Sequence, residues 1–271
     1  MFTSVVIPSR NAVDRLLYTL YSLNLQYTSF DDFEVIVMDN ASTDGTAERV
    51  SRFSAHYPLR CHRSRRQLSR SQLLNGGVEK AKGCSVILLG CDMIVPREFV
   101  GTHRQAHLQD DRLVLLGIGQ RRIYSVYYPR FSLAQHHECE AWLEHYPQIK
   151  RPHTNVKVVP LLEEKQITSG LPFHIGLSCA DAERRQSIRE KGGRIWPLFQ
   201  TNHVSLPRWA FHDAGRFKTL PRKEMEQEMA RRLVQSGYRF QIADKLLLLK
   251  QEHPPESTSD PKRAKKNHRM K

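Results

Sequence analysis

The stretch that most constrains the fold is Ser85 to Pro96, SVILLGCDMIVP. Val86, Ile87, Leu88 and Leu89 form a short continuous apolar run, the pattern of a strand covered on both faces. Gly90-Cys91 breaks the run and Asp92 follows at once. In open α/β sheets, ligands sit at the carboxyl ends of strands, so a working acid is expected there. An Asp that merely caps a turn has the same local signature, and the neighbouring stretches decide between the two.

Those neighbours repeat the pattern. Ser4 to Pro8 (SVVIP) reads as a buried strand, and Arg10 to Gln26 carries Leu16, Leu17, Leu20, Leu23 and Leu25 at roughly helical spacing. Phe33 to Met38 (FEVIVM) is a second strand ending at Asp39-Asn40. The turn residues ASTDGT then lead into a helix near Ala47 to His56. Leu73 to Lys82 is a further helix, turned by Gly83 into the strand at Ser85. With right-handed crossovers this order predicts an open, doubly wound, mostly parallel sheet with helices on both faces, Asp39 and Asp92 sharing one crevice. No G-x-G-x-x-G follows the first strand, which argues against a dinucleotide site. Downstream, Leu113 to Ile118 reads as a strand, Ser132 to His145 as a helix, Arg151 to Gly170 as an acceptor-side loop or insertion, and Gln241 to Leu249 as a final strand. Adjacent His136 and His137 point about 100° apart on a helix, a poor pair for a metal.

These residues resemble family-2 glycosyltransferases of the GT-A fold. VVIPSRN, Val5 to Asn11, is similar to the family's opening strand, and VMDNASTDGT, Val37 to Thr46, to its nucleotide-binding Asp and the turn after it. LNGGVEKAKG, Leu74 to Gly83, looks like the segment before the acidic strand, with Leu74 where Arg is common. The resemblance implies that Pro8, Arg10, Asp39 and Asn75 bind a nucleotide. It also implies that Asp92 holds Mn²⁺ or Mg²⁺ bridging a diphosphate. The family's metal motif is Asp-x-Asp; here Gly90-Cys91-Asp92 keeps only the last acid, which implies a weakened metal site.

The second half is similar to the galactosyltransferase-like and polypeptide GalNAc-transferase-like region of such enzymes. Thr201 to Arg208 (TNHVSLPR) resembles a Gly-Asn-x-Ser-x-x-Arg strand, with Thr201 for Gly, and implies acceptor or sugar contacts by Asn202 and Arg208. In MEQEMARRLVQSGYRF, Met225 to Phe240, Glu226 falls on the family's catalytic Asp, Glu228 on its second Glu and Met225 on its first. Glu226 would then be the base and Glu228 an acceptor contact. The competing reading is a helix with an i, i+4 pair, Glu228–Arg232. His253-Pro254 fits half of a His-x-x-His-Pro metal pattern, with Lys250 in the first His position.

The expectation is a single GT-A domain over 1–254, with a nucleotide-binding half at 1–100, an acceptor half at 101–254 and a disordered basic tail at 255–271. The resemblance implies a nucleoside diphosphate sugar as donor and a glycan, lipid-linked or protein acceptor. A degenerate domain that binds without turnover is the alternative, and Gly90 and Met225 are its grounds. The net charge of +14 favours anionic partners, including acidic membrane met by the tail. No RNP, KH or zinc-finger signature supports nucleic acid. Five scattered cysteines without C-x-x-C spacing point to a reducing compartment, and no secretory signal or span of roughly 20 apolar residues is read, so the expected location is cytoplasmic.

Overall fold

The computed structural model describes residues 1–117, 119–128, 130–145, 159–160, 195–244 and 246–254. A seven-stranded sheet forms its centre, from β1 (Thr3–Ser9), β2 (Phe33–Asp39), β3 (Leu59–Arg63), β4 (Ser85–Leu89), β6 (Leu113–Leu116), β10 (His203–Pro207) and β11 (Arg239–Ile242). Its order is β11-β6-β10-β4-β1-β2-β3. β1, β2, β3 and β4 are mutually parallel where they pair, and β10 runs antiparallel to both β4 and β6. The doubly wound, mostly parallel sheet expected from the sequence is the one observed.

Period-2 alternation along these strands builds a core on each face. Val6, Ile36, Met38, Val86, Leu88, Val204 and Leu206 pack under α3 (Arg70–Lys80), α6 (Arg208–Asp213) and α7 (Arg222–Gln235). Val5, Ile7, Val35, Val37, Ile87 and Leu89 pack under α1 (Val13–Leu23), α2 (Thr46–Ser51) and α4 (Phe99–Gln109). α3 begins three residues before the apolar spacing announces it, because Ser69 and Gln72 form a reciprocal capping box.

Two smaller sheets complete the described chain. β5 (Met93–Ile94), β12 (Leu247–Gln251) and β7 (Gly119–Ile123) form one; β8 (Val126–Tyr127) and β9 (Val159–Pro160) form the other. The expected single strand Gln241 to Leu249 is therefore two strands in two sheets. Ala243 ends β11 by donating to the Leu116 carbonyl, and Leu246 turns back onto Ala243. α5 (Leu133–His145) matches the expected helix. Of Arg151 to Gly170 only the β9 residues are described, and the basic tail lies outside the described residues.

A buried histidine cluster joins α4 to β10. His103 Nδ1 and His107 Nε2 each lie 2.7 Å from Ser205 Oγ, and His103 Nε2 lies 3.1 Å from His203 Nε2. The approach is so close that a Cβ on Gly117 would fall 1.7 Å from His203 Nδ1. Burial pushes all three rings below the ordinary histidine range, His107 to about 4 and His203 to about 3, while Asp110 acts on His107 in the opposite sense. A lowered pKa means that the unfolded chain takes up these protons first. Stability is full above about pH 6.5 and is lost as pH falls toward 4, by on the order of 3 kcal/mol for His107 alone. The urea midpoint is expected to drop steeply across that window in the native protein and less steeply in His107→Gln; equal slopes would contradict this account.

Candidate active site at the carboxyl edge of the sheet

Asp39 ends β2 opposite Ser9, the last residue of β1, and is completely buried. Its Oδ1 accepts from the Ser42 backbone N–H at 3.1 Å. Oδ2 has no hydrogen-bond partner, and the Arg63 guanidinium stands 3.7 Å away. The turn after it explains its own sequence. Asp44 Oδ2 accepts from Val13 N–H at the start of α1, and Oδ1 accepts from Thr46 N–H at the start of α2. Asn11 and Ser42 cross-bond the two loops, and Asn40 bridges to Leu68 in both directions. Gly45 takes φ 79°, which suits glycine, but Ala41 is held at φ 52°. That strain in a small, non-glycine residue marks a loop over-determined by its surroundings. Pro8 is buried in β1 and Arg10 half-buried just beyond it, so both stand at the same edge as Asp39.

Asp92 lies three residues past β4. The Gly90 N–H donates to the Asn202 carbonyl at 3.0 Å, and the Asp92 carbonyl accepts from Gln251 N–H at 2.8 Å. A Cβ at Gly90 would meet Asp92 Oδ1 at 2.7 Å. The absence of the first acid is thus coupled to where the remaining carboxylate sits. Pairing of β5 with β12 brings His253 across, its Nε2 3.8 Å from Asp92 Oδ2. His253 Nδ1 lies 2.7 Å from the Pro254 carbonyl, which can only accept. Nδ1 therefore donates to it, which leaves Nε2 as the ring nitrogen that faces the carboxylate and the one a metal would use. Asp92 and His253 fit a divalent cation as a pair. Among the described residues no group of three His, Cys, Asp or Glu side chains assembles around one point.

Glu226, on α7, is buried and accepts three hydrogen bonds on Oε1: from Thr201 N at 2.9 Å, Thr201 Oγ1 at 2.7 Å and Arg222 Nε at 3.1 Å. Oε2 takes part in none of them. Arg70 donates to Thr201 Oγ1 at 3.0 Å, and burial, with Arg222 next, pushes its guanidinium down to about 10 while Glu226 and Asp92 act in the opposite sense. Asn202 keeps a buried Oδ1 with no donor. The short segment Thr201-Asn202 therefore ties Glu226 on one side to the Asp92 turn on the other. Arg70 and Thr201 do not stand out in the sequence as site residues. The signal for Arg70 is the Ser69–Gln72 capping box, which fixes it in the first turn of α3 at this edge.

Three expected contacts are not part of this assembly. Arg208 follows β10 at the opposite edge, donating to the Ala81 carbonyl at 2.9 Å while its backbone N–H bonds Cys84. β10 is antiparallel to β4 and alone spans about 13 Å, so a motif that starts in the crevice ends at the far side of the sheet. Asn75 spends both ends of its amide on the Phe217 backbone, at 3.0 Å each, and clamps α3 to the turn after α6. Glu228 pairs with Lys218 at 2.6 Å and Arg232 at 2.7 Å. Burial raises its carboxyl, but those two hydrogen-bonded cations outweigh it and hold the group below the ordinary range. Its surroundings are those of the i, i+4 pair, with Arg232 bonded on to the carbonyls of Ala214, Gly215 and Arg216.

Residues 4–161 match the model of the family described as glycosyl transferase family 2. The chain belongs to glycosyl transferase family 2. It is 30% identical over 266 residues to the uncharacterized glycosyltransferase YfnE of Bacillus subtilis (strain 168), covering 94% of this chain and 66% of YfnE. Among solved structures, S. aureus TarS 1-349 in complex with UDP-GlcNAc superposes with TM-score 0.61 at 15% identity, over 93% of this chain and 59% of that one. The mannosyltransferase PcManGT from Pyrobaculum calidifontis, in complex with GDP-Man and Mn²⁺, gives 0.60 at 17%, over 94% and 58%. These likenesses show the GT-A fold. The chain thus spans a little under two thirds of these relatives' lengths. No helix among the described residues is long and apolar enough to cross a membrane.

Because Arg208 sits at the far edge, Arg208→Ala is expected to lower the urea midpoint by the equivalent of about 1–3 kcal/mol, one charged hydrogen bond. Nucleotide affinity measured by calorimetry should stay unchanged. A tenfold loss of affinity in the folded variant would return Arg208 to the site.

Proposed function

We propose that this family-2 chain transfers a hexose or N-acetylhexosamine from a nucleoside diphosphate sugar to an acceptor hydroxyl, with inversion. The observation that supports it most is the Thr201-Asn202 strap. Its N–H holds Glu226 and its carbonyl holds Gly90, two residues before Asp92, so a candidate base and a candidate leaving-group site border one crevice. UDP-sugars are the first donors to test, since TarS was solved with UDP and with UDP-GlcNAc. An acceptor in surface polysaccharide, glycolipid or glycoprotein synthesis is the corresponding reading for the whole protein.

In this reading Asp39 Oδ2, buried without a donor, accepts from an N–H of the nucleobase. Asp92 and His253 would hold Mn²⁺ or Mg²⁺, which when bound would supply positive charge against the diphosphate. Thr201 and Arg222 fix Glu226 through Oε1, leaving Oε2 to take the acceptor proton. The acceptor oxygen forms its bond to the anomeric carbon as the bond from that carbon to the phosphate oxygen breaks. The electron pair leaves with the nucleoside diphosphate. A single displacement of this kind inverts the anomeric centre. The non-catalytic reading keeps one structural ground: Met225, where the family has an acid, is fully buried in the core and carries no charge.

Transfer and hydrolysis assays over a panel of sugar nucleotides, with and without Mn²⁺, test the activity; no turnover with any donor would favour the non-catalytic domain. Asp39→Ala is expected to weaken nucleoside diphosphate binding by about 1.5–3 kcal/mol with the fold intact. Unchanged affinity by calorimetry would remove Asp39 from the site. Glu226→Gln keeps the Thr201 contacts but accepts no proton, so turnover should fall about 10²–10⁴-fold with donor affinity little changed. Transfer at the native rate would show Glu226 to be structural.

A further inference from the structure

Arg15 lies in the first turn of α1 and is 5% exposed. Its Nε and Nη1 are sealed from solvent, and neither has a hydrogen-bond partner. Among the described residues it enters no ion pair. Asp14, beside it on the helix, acts on it electrostatically but forms no salt bridge with it, and Asp44 has its carboxylate committed to Val13 and the start of α2. A buried charge without a partner is among the least favourable arrangements a fold can hold, and such groups are ordinarily paired. A guanidinium left this way is expected where an anion arrives from outside.

The face of α1 that carries Arg15 shows where that anion would come from. Arg15, Thr19, Ser22 and Gln26 form one polar stripe. Thr19 Oγ1 donates to the Cys91 carbonyl at 3.0 Å, Ser22 Oγ accepts from Val95 N–H at 3.1 Å, and Gln26 Nε2 donates to the Pro96 carbonyl at 2.9 Å. The stripe tracks the chain that follows β4. Arg15 sits one helical turn nearer the carboxyl edge than Thr19, about 6 Å along the axis. Gln251 fastens the same place from the other side, donating to the Arg15 carbonyl at 2.9 Å, and His253 follows two residues later to face Asp92. Arg15, Asp14, Cys91 and Asp44 all lie close enough to act electrostatically on the Tyr128 hydroxyl.

We propose that Arg15 is the resident cation for the diphosphate of the donor, its planar fork held ready beside the Asp92–His253 pair. This deepens the donor reading above and rests on it. A guanidinium matches two phosphate oxygens at once. Held in a dry pocket, it also offers fixed positive charge where the leaving group develops negative charge. It supplies, from the protein itself, part of the charge that a site lacking an acid at position 90 recruits less strongly from a metal.

The test is calorimetry of the native chain, Arg15→Met and Arg15→Lys against UDP, GDP, uridine, guanosine and inorganic pyrophosphate, with Mn²⁺ and with EDTA. The thermal midpoint of each unliganded protein is measured alongside. Arg15→Met should lose about ten- to a hundredfold in affinity for the nucleoside diphosphate and for pyrophosphate, with nucleoside affinity unchanged. Arg15→Lys should retain part of that affinity. Because no hydrogen bond is lost, the unliganded midpoint of Arg15→Met should equal or exceed the native one, which a structural role would not allow. Native-like diphosphate affinity in Arg15→Met, or parallel losses for nucleoside and diphosphate with a lowered midpoint, overturns the assignment. Pyrophosphate binding through Arg15 without nucleoside diphosphate binding would keep the anion site and sink the donor reading. Binding of neither by the native chain would sink both.

Discussion

The site depends on one strand pairing, β10 against β4. β10 enters the large sheet antiparallel, with His203 opposite Leu89 and Pro207 opposite Ser85. Its leading residues, Thr201 and Asn202, are thereby delivered to the carboxyl edge, where the parallel strands β1, β2 and β4 also end. Gly90 and Asn202, more than a hundred positions apart in the chain, then share a backbone hydrogen bond, and the neighbouring Thr201 N–H holds the Glu226 carboxylate. Had β10 been parallel, its motif would have met the crevice through Arg208 instead. The direction of this strand decides which end of that motif is chemical and which end is scaffolding.

Most polar side chains around the crevice are occupied in building it. Asp44 starts two helices, Asn40 and Asn11 join loops, Asn75 grips Phe217, and Glu228 serves Lys218 and Arg232. Buried polar groups are ordinarily hydrogen-bonded, so exceptions carry information. Among the described residues, buried side-chain atoms of Ser9, Arg15, Asp39 and Asn202 without a hydrogen-bond partner belong to this edge, while those of Arg60 and His107 lie elsewhere. An acceptor oxygen on Asp39, another on Asn202 and a cationic fork on Arg15 together describe a surface suited to a molecule with N–H groups, hydroxyls and negative charge.

Continuous apolar runs and the acid after each made the parallel core and the positions of Asp39 and Asp92 legible from sequence. The motif turn was legible too, although its Ser, Thr and second Asp turn out to serve architecture. The split of Gln241 to Leu249 was not visible, since Ala243-Asp244 carries no Gly or Pro and the apolar run hardly pauses. Arg208, Asn75 and Glu228 were placed by motif position, and motif position does not reveal which side chains are already engaged. Arg15 went unread for the same reason in reverse: a missing partner is a property of three dimensions, and nothing in the one-letter string of its helix distinguishes it.

The location of β10 also bears on how the protein could be dissected. A division at about residue 100 looks natural in the sequence, but in the sheet it strands β4. One side of β4 pairs with β1; its other side, with every residue buried, is covered by a strand that arrives more than a hundred residues later. An isolated first half would present that apolar edge, unpaired, to solvent and to its own copies, the geometry that invites strand addition and aggregation. The two halves share one sheet and cannot be exchanged like cassettes. The pairing of β10 with β4 is also a contact of long sequence separation, the kind that slows folding.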